Sequence, residues 1–358
     1  RIINITHLIC YTVMIILQIA ILVVTQNYIL FLIVKIIFRL LENIILSVIV
    51  DKKYRYLKGP AEKMKKEEKQ NIFTKVKGLI YHKVGGYLVL GTDNLIISAF
   101  LGVGLVGLYS NYYLIINSLY VLYCQIFSAL TASVGNLIAT ESREANYTVY
   151  KKIVFLNFWI YGFSAAALYC MMTPFITFWL GEEFLLSNNV LIVLVVNFYM
   201  LGMRSSIGTF KDAAGIFYED RFIPIIESVI NVIASLILVQ FLGILGVFIG
   251  TFLSSLIVVF YSLPHFVFQR LFGQKKMQYY KLYFKYALIT FIGVLTTILP
   301  YRFISLTAGF PNIIMLLIAT VLSAIIPNVI FILFLKNTEE FQYFKEIALA
   351  KLNKGRKH

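Results

Sequence analysis

The sequence predicts an all-α, polytopic integral membrane protein, and three observations carry that prediction. Apolar residues make up 60% of the chain and charged residues only 14%, with a mean hydropathy of +0.83, far from the balance of a water-soluble domain. The apolar residues fall in continuous runs of about 20, the length at which a helix crosses a hydrocarbon layer ~30 Å thick. These runs lack the short alternating segments of a membrane β-barrel, which leaves helices as the spanning structure.

Ten spans follow in order, near 5–25, 28–50, 79–100, 105–136, 152–178, 189–210, 222–241, 245–268, 284–303 and 311–335. The first two are separated only by 26–27, and the third and fourth only by 101–104. Pro174 marks an expected kink in the fifth, and Pro224 an expected start for the seventh. Two turns echo each other: FLGVGLVGLY at 100–109 and FLGILGVFIG at 241–250 each place an FLG turn and a further glycine just before a new span. Small residues there allow close helix packing, and repeated hairpins of this kind also build carriers.

Lys and Arg remain on the cytoplasmic side of a membrane, so their distribution predicts orientation. The connection 51–78, DKKYRYLKGPAEKMKKEEKQNIFTKVKG, holds ten of the 32 basic residues, whereas 26–27, 101–104, 179–188, 242–244 and 304–310 hold none. Arg302 is the one basic residue beside that second set. The expected topology is a multi-pass cell-membrane protein with both ends cytoplasmic. The same asymmetry explains the net charge of +15 without any nucleic-acid partner, and the tail KLNKGRKH reads as a contact for anionic membrane lipids.

Several chemistries lack the residues they need. Cys10, Cys124 and Cys170 lie in apolar spans without paired or metal-ligand spacing, and the four histidines, His7, His82, His265 and His358, are scattered. No nucleophile, acid–base or metal constellation can be assembled, so neither an enzyme nor a metal or other cofactor is expected.

Charged residues inside spans point to function instead. They are Lys35, Arg39 and Glu42 in the second span, Lys83 and Asp93 in the third, Arg204 in the sixth and Glu227 in the seventh. Each costs about 2.5–3.5 kcal/mol at the bilayer centre, so facing lipid the seven would cost roughly 20 kcal/mol, and most must face protein, water or the interface. Lys35, Arg39 and Glu42 share one helix face by their i, i+4, i+7 spacing; that face either lines a polar path or holds an internal Arg39–Glu42 pair. Lys83 lies one turn into its span and either snorkels to the interface or enters a cavity. Asp93 stands roughly 15 Å farther along the axis, too far to pair with Lys83, and needs another partner, a cation or a proton. Thr92 and Asn94 flank it with polar groups, and Glu227 lies one turn from Asn231. Tyr109, Tyr112, Tyr113, Tyr120 and Tyr123 load the fourth span; interfacial packing explains them better than stacking on sugar rings.

Two blocks carry a family resemblance: LGTDNLIISAFLGVGLVGLYSNYYLIINSLYVLYCQIFSALTASVGNLIATES at 90–142 and RSSIGTFKDAAGIFYEDRFIPIIESVINVIASLILVQFLGILGVFIGT at 204–251. They resemble the bacterial polysaccharide repeat-unit flippases of the multidrug, oligosaccharidyl-lipid and polysaccharide (MOP) exporter superfamily. The resemblance implies a two-lobe architecture whose first lobe is truncated. On that reading 1–50 is the last two helices of the first lobe and 51–78 a cytoplasmic interlobe linker. A complete six-helix lobe follows at 79–268, then two additional helices at 283–336 and a basic cytoplasmic tail at 337–358.

It also implies a carrier that flips undecaprenyl-diphosphate-linked oligosaccharide across the cytoplasmic membrane for capsular or related surface polysaccharide, by ion-coupled alternating access. Lys35, Arg39, Lys83 and Arg204 would compensate the diphosphate, Asp93 would engage the coupling cation, sodium or a proton, and Glu227 with Asn231 would be a second ion-coupling candidate beside Glu42. Among alternatives, a peptidoglycan-precursor flippase would share the basic cavity, while a multidrug exporter would favour acidic residues for cationic drugs. A polysaccharide polymerase would need a large outer loop with catalytic Arg or His, which the short outer connections lack.

Overall fold

The computed structural model describes residues 2–54, 56, 64–307 and 309–355. No strand occurs among them, and every expected span is helical. In chain order the helices are α1 (Ile2–Thr25), α2 (Tyr28–Lys53), α3 (Lys66–Leu101), α4 (Val103–Thr140), α5 (Arg143–Trp179) and α6 (Asn188–Ala213). They continue as α7 (Ile223–Leu242), α8 (Ile244–Ser254), α9 (Phe260–Val267), α10 (Met277–Thr307), α11 (Asn312–Leu335) and α12 (Glu339–Gly355). The chain divides into two compact units, Arg1–Lys69 and Gln70–His358.

Among the described residues nine helices are long and apolar enough to cross a membrane, counting Ile244–Phe272 as one rod. The tenth expected span, α2, has the length but falls outside that set. Lys35, Arg39 and Glu42 interrupt its apolar sequence. The polar stretch 51–78 is only partly a connection: 51–53 complete α2 and 66–78 form the start of α3, while 55 and 57–63 lie outside the described residues.

In the first unit α1 and α2 pack as a hairpin. Asn27 sets the turn, its Oδ1 accepting from the backbone N–H of Ile29 (2.9 Å) and Leu30 (3.2 Å), which satisfies two orphan donors at the start of α2.

The second unit is organised around α5, which packs against α6, α10 and α11. Ser142 caps it through Ala145 N–H at 3.2 Å, and Pro174 lies inside it, as expected. Aromatic stacking fills the contacts: Phe158 meets Tyr286 at 4.5 Å and Phe331 at 4.7 Å between ring centres. The additional helices α10 and α11 therefore share the core of the second unit. The tail region forms α12, whose Phe341 and Phe344 meet Phe155 of α5; 356–358 lie outside the described residues.

The two FLG turns have a shared cause. Gly102 and Gly243 both adopt positive φ, +93° and +57°, and each stands immediately before a helix, where a side chain would strain the backbone. The following glycines differ. A Cβ on Gly246 would lie 2.2 Å from the carbonyl oxygen of Leu238, so α7 and α8 touch backbone to backbone, whereas Gly104 and Gly107 have open space. Between α8 and α9 the rod passes through a π-helical segment, Ser255–Val259, and beyond α9 through another, Phe268–Phe272. Pro264, inside α9 between them, supplies no backbone N–H.

Candidate functional site: a polar interior between α3, α6, α7 and α8

Four of the sequence candidates converge inside the second unit. Thr251 of α8 donates its hydroxyl to the Asp93 carboxylate, with contacts of 3.1 and 3.3 Å to its two oxygens. Asn231 of α7 donates to Thr251 Oγ1 at 3.0 Å and accepts from Thr92 Oγ1 at 3.2 Å. Asp93, Asn231 and Thr251 thus link α3, α7 and α8 through one chain of hydrogen bonds. No basic side chain forms an ion pair with the buried Asp93 among the described residues. Beside it, the buried Oδ1 of Asn94 has no hydrogen-bond partner. A buried carboxylate held only by neutral donors is a receptor for a proton or cation.

A cavity of about 120 Å³ reaches Asp93, lined also by Tyr109, Tyr113, Tyr120, Asn197 and Arg204. A second, more polar cavity of about 490 Å³ is lined by His82, Asp212, Glu227 and, again, Tyr120 and Arg204. Arg204 stands where the two meet. Its Nη1 donates to Glu227 Oε1 at 3.1 Å, and Ser255 Oγ donates to the same oxygen at 2.9 Å. Ser255 opens the first π-helical segment, so the irregular backbone lies at the ion pair.

His82, on the wall of the larger cavity, leads to a group that sequence reasoning missed. Asp220, in the turn between α6 and α7, accepts from Lys211 Nζ at 2.6 Å and contacts His82 Nε2 of α3 at 2.7 Å. Burial pushes the Asp220 carboxyl up, but the His82 hydrogen bond and the Lys211 ammonium outweigh it and hold the carboxyl below its ordinary value. Residues 82, 211 and 220 show no common spacing in the sequence; the only signal was charge next to apolar spans.

The remaining candidates lie elsewhere. Lys83 is exposed on α3 and has no acidic partner among the described residues, unlike its neighbour His82. In the first unit Arg39, 67% exposed, pairs with Glu42 at 2.9 Å, and Glu42 also contacts His7 Nδ1 at 2.7 Å. The i, i+3 pair foreseen as one of two readings is therefore present, with a histidine added from α1. Lys35 is exposed without an acidic partner among the described residues. Of the tyrosines of α4, Tyr109, Tyr113 and Tyr120 line the inner cavity, while Tyr112 accepts from Leu186 N–H and Tyr123 bonds Ser164. No cluster of three or more metal-ligating side chains occurs among the described residues.

Comparison with models of known families, with curated proteins and with solved structures finds no match to this chain.

Proposed function

We propose that the chain is a membrane carrier of the MOP exporter type that flips undecaprenyl-diphosphate-linked oligosaccharide for surface-polysaccharide assembly, driven by a cation that engages Asp93. The observation that carries this reading is the buried Asp93 carboxylate, held by Thr251 and reached by a cavity inside a bundle of apolar helices. A charge so placed is costly unless a proton or cation neutralises it, and the neutral donors around Asp93 leave that role open to a coupling ion. Lys35 and Lys83, which lack acidic partners among the described residues, supply cations free to meet a diphosphate, while Arg204 inside the bundle is already paired with Glu227. The resemblance of 90–142 and 204–251 supports a lipid-anion cargo over a cationic drug.

The test measures translocation of lipid-linked repeat units in vesicles from cells expressing the protein from its own gene, with sodium and proton gradients imposed separately. Asp93→Asn should abolish gradient-driven transport at unchanged membrane abundance. Transport by Asp93→Asn that still responds to both gradients at the unmodified rate would remove Asp93 from the coupling role.

A further inference from the structure

A cavity of about 410 Å³ lies away from the polar interior, between α6 and α10 with α5 beneath it. Its floor is buried and its rim exposed: Ala165 is 2% exposed, whereas Phe291 is 58% and Ile192 41% exposed. The polar atoms of the floor satisfy each other, Thr290 Oγ1 donating to Tyr199 Oη at 3.3 Å. The groove therefore asks for no hydrogen bonds along its length and suits a saturated or unsaturated hydrocarbon chain, not a sugar.

One end is different. Arg302 Nη2 donates to Tyr169 Oη at 3.0 Å, and Tyr169 in turn donates to Asn188 Oδ1 at 2.9 Å, which fixes the guanidinium at the mouth. No carboxylate pairs with Arg302 among the described residues; Glu183 of the same end folds its carboxyl over Gly181 instead. Arg302 is also the one cation beside the connections 179–188 and 304–310.

The groove is longer than one leaflet, so a chain anchored at Arg302 fills the part nearest that residue. From Ala287 to Arg302 the groove follows fifteen residues of α10, about 22 Å. One leaflet's hydrocarbon is ~15 Å deep, half of the whole layer. Lys285 and Arg302, seventeen residues and about 26 Å apart on the same helix, mark opposite interfaces.

We propose that this groove is a binding site for one acyl chain of an anionic glycerophospholipid, whose phosphate is held by the Arg302 guanidinium, with Tyr169 and Asn188 positioning that guanidinium. The occupant is a resident lipid of the leaflet on the Arg302 side, separate from the transported cargo, so the proposal stands or falls independently of the flippase reading.

The test reconstitutes the protein in vesicles containing photoactivatable phosphatidylglycerol or phosphatidylcholine with the same diazirine-bearing chain. Phosphatidylglycerol should label peptides from 188–202 and 287–302 about fivefold more than phosphatidylcholine does, the advantage of one basic residue at an anionic headgroup. Arg302→Gln should erase that preference with an unchanged melting temperature, Arg302→Lys should keep most of it, and Leu295→Trp should reduce labelling by both lipids by filling the groove. Equal labelling by the two lipids, or a preference that survives Arg302→Gln, overturns the proposal. So does displacement by undecaprenyl phosphate at lower mole fraction than phosphatidylglycerol, which would assign the groove to the cargo chain. Disulfide linkage of two protomers through Leu295→Cys would assign it to a second copy and overturn it equally.

Discussion

Arg204 and Glu227 offer the sharpest test of the polar interior, because the consequences of removing one charge and of removing both differ in sign. The pair is 3.1 Å apart, and the two side chains are 20% and 8% exposed. At an effective dielectric near 20, Coulomb attraction at that distance is about 5 kcal/mol, which desolvation of both ions largely offsets. Arg204→Gln leaves the Glu227 carboxylate with Ser255 as its only remaining partner among the described residues. Leaving one buried charge unpaired costs about 3–5 kcal/mol, a fall of roughly 10 °C in melting temperature for a unit of this size. Glu227→Gln should do the same by stranding the guanidinium. The double variant removes both charges and should melt within about 1 kcal/mol of the parent. The assay is thermal melting of detergent-purified protein, followed by transport measured on the same four variants. Two single effects that simply add in the double variant would refute the pairing. Transport lost in a double variant of normal melting temperature would show that the charges do more than neutralise each other.

Three further outcomes follow from named contacts. Gly246→Val should separate α7 from α8 and destabilise by about 1–3 kcal/mol or more in melting experiments, because its Cβ meets backbone, while Gly104→Ala in the echoing turn should be neutral or slightly stabilising. Asp220 has a folded pKa below its ordinary 3.8, so its contribution is complete above that pH and is lost as acidification passes below it. The melting temperature should therefore fall below about pH 4 in the parent, and less steeply in Asp220→Asn. Arg39→Gln together with Glu42→Gln should leave the α1–α2 hairpin folded by circular dichroism. If Arg39 compensates the diphosphate, transport stays lost in that double variant, and recovery to the unmodified rate would confine Arg39 to its pair with Glu42 and His7.

The helices were legible because each apolar run satisfies two demands at once, length and backbone hydrogen bonding, that only a spanning helix meets. Gly102, Gly243 and Pro224 punctuate them where their backbone chemistry requires. Asp93, Arg204, Glu227 and Asn231 were legible for an energetic reason: polar groups in apolar runs must find partners. Which partners they find was not. Thr251 and Ser255 look ordinary in an apolar run, and their role depends on α8 crossing α3 and α7 at the right height. His82, Lys211 and Asp220 come together only when the turn after α6 folds back on α3, and no sequence periodicity encodes that return. The reach of α3 back to Lys66 was hidden by charge, which a solvated helix and a loop tolerate equally.

The way α3 is attached bears on the proposed carrier function. Other helices of the second unit pack along extended apolar seams, α5 with α6 and α11, α7 with α8. α3 buries Ile96 and Ile97 in the core and is fastened besides at separate points: His82 to Asp220, Thr92 to Asn231, Asp93 to Thr251, and a close approach of Gly85 to Pro224. Apolar packing is indifferent to protons and ions, whereas the His82–Asp220 and Thr251–Asp93 contacts depend on which atoms carry protons. A cation or proton arriving at Asp93 changes what Thr251 and Asn231 can donate to, and so changes the free energy of holding α3 against α7 and α8. That is the differential interaction a ligand needs in order to shift a conformational equilibrium. Arg204 and Glu227, which lie on α6 and α7 between the two cavities, make no hydrogen bond to α3 among the described residues. The same arrival can therefore release α3 while the α6–α7 ion pair holds the rest of the bundle in place. An ion-coupled rocking carrier requires that division between a helix that responds to the ion and a frame that does not.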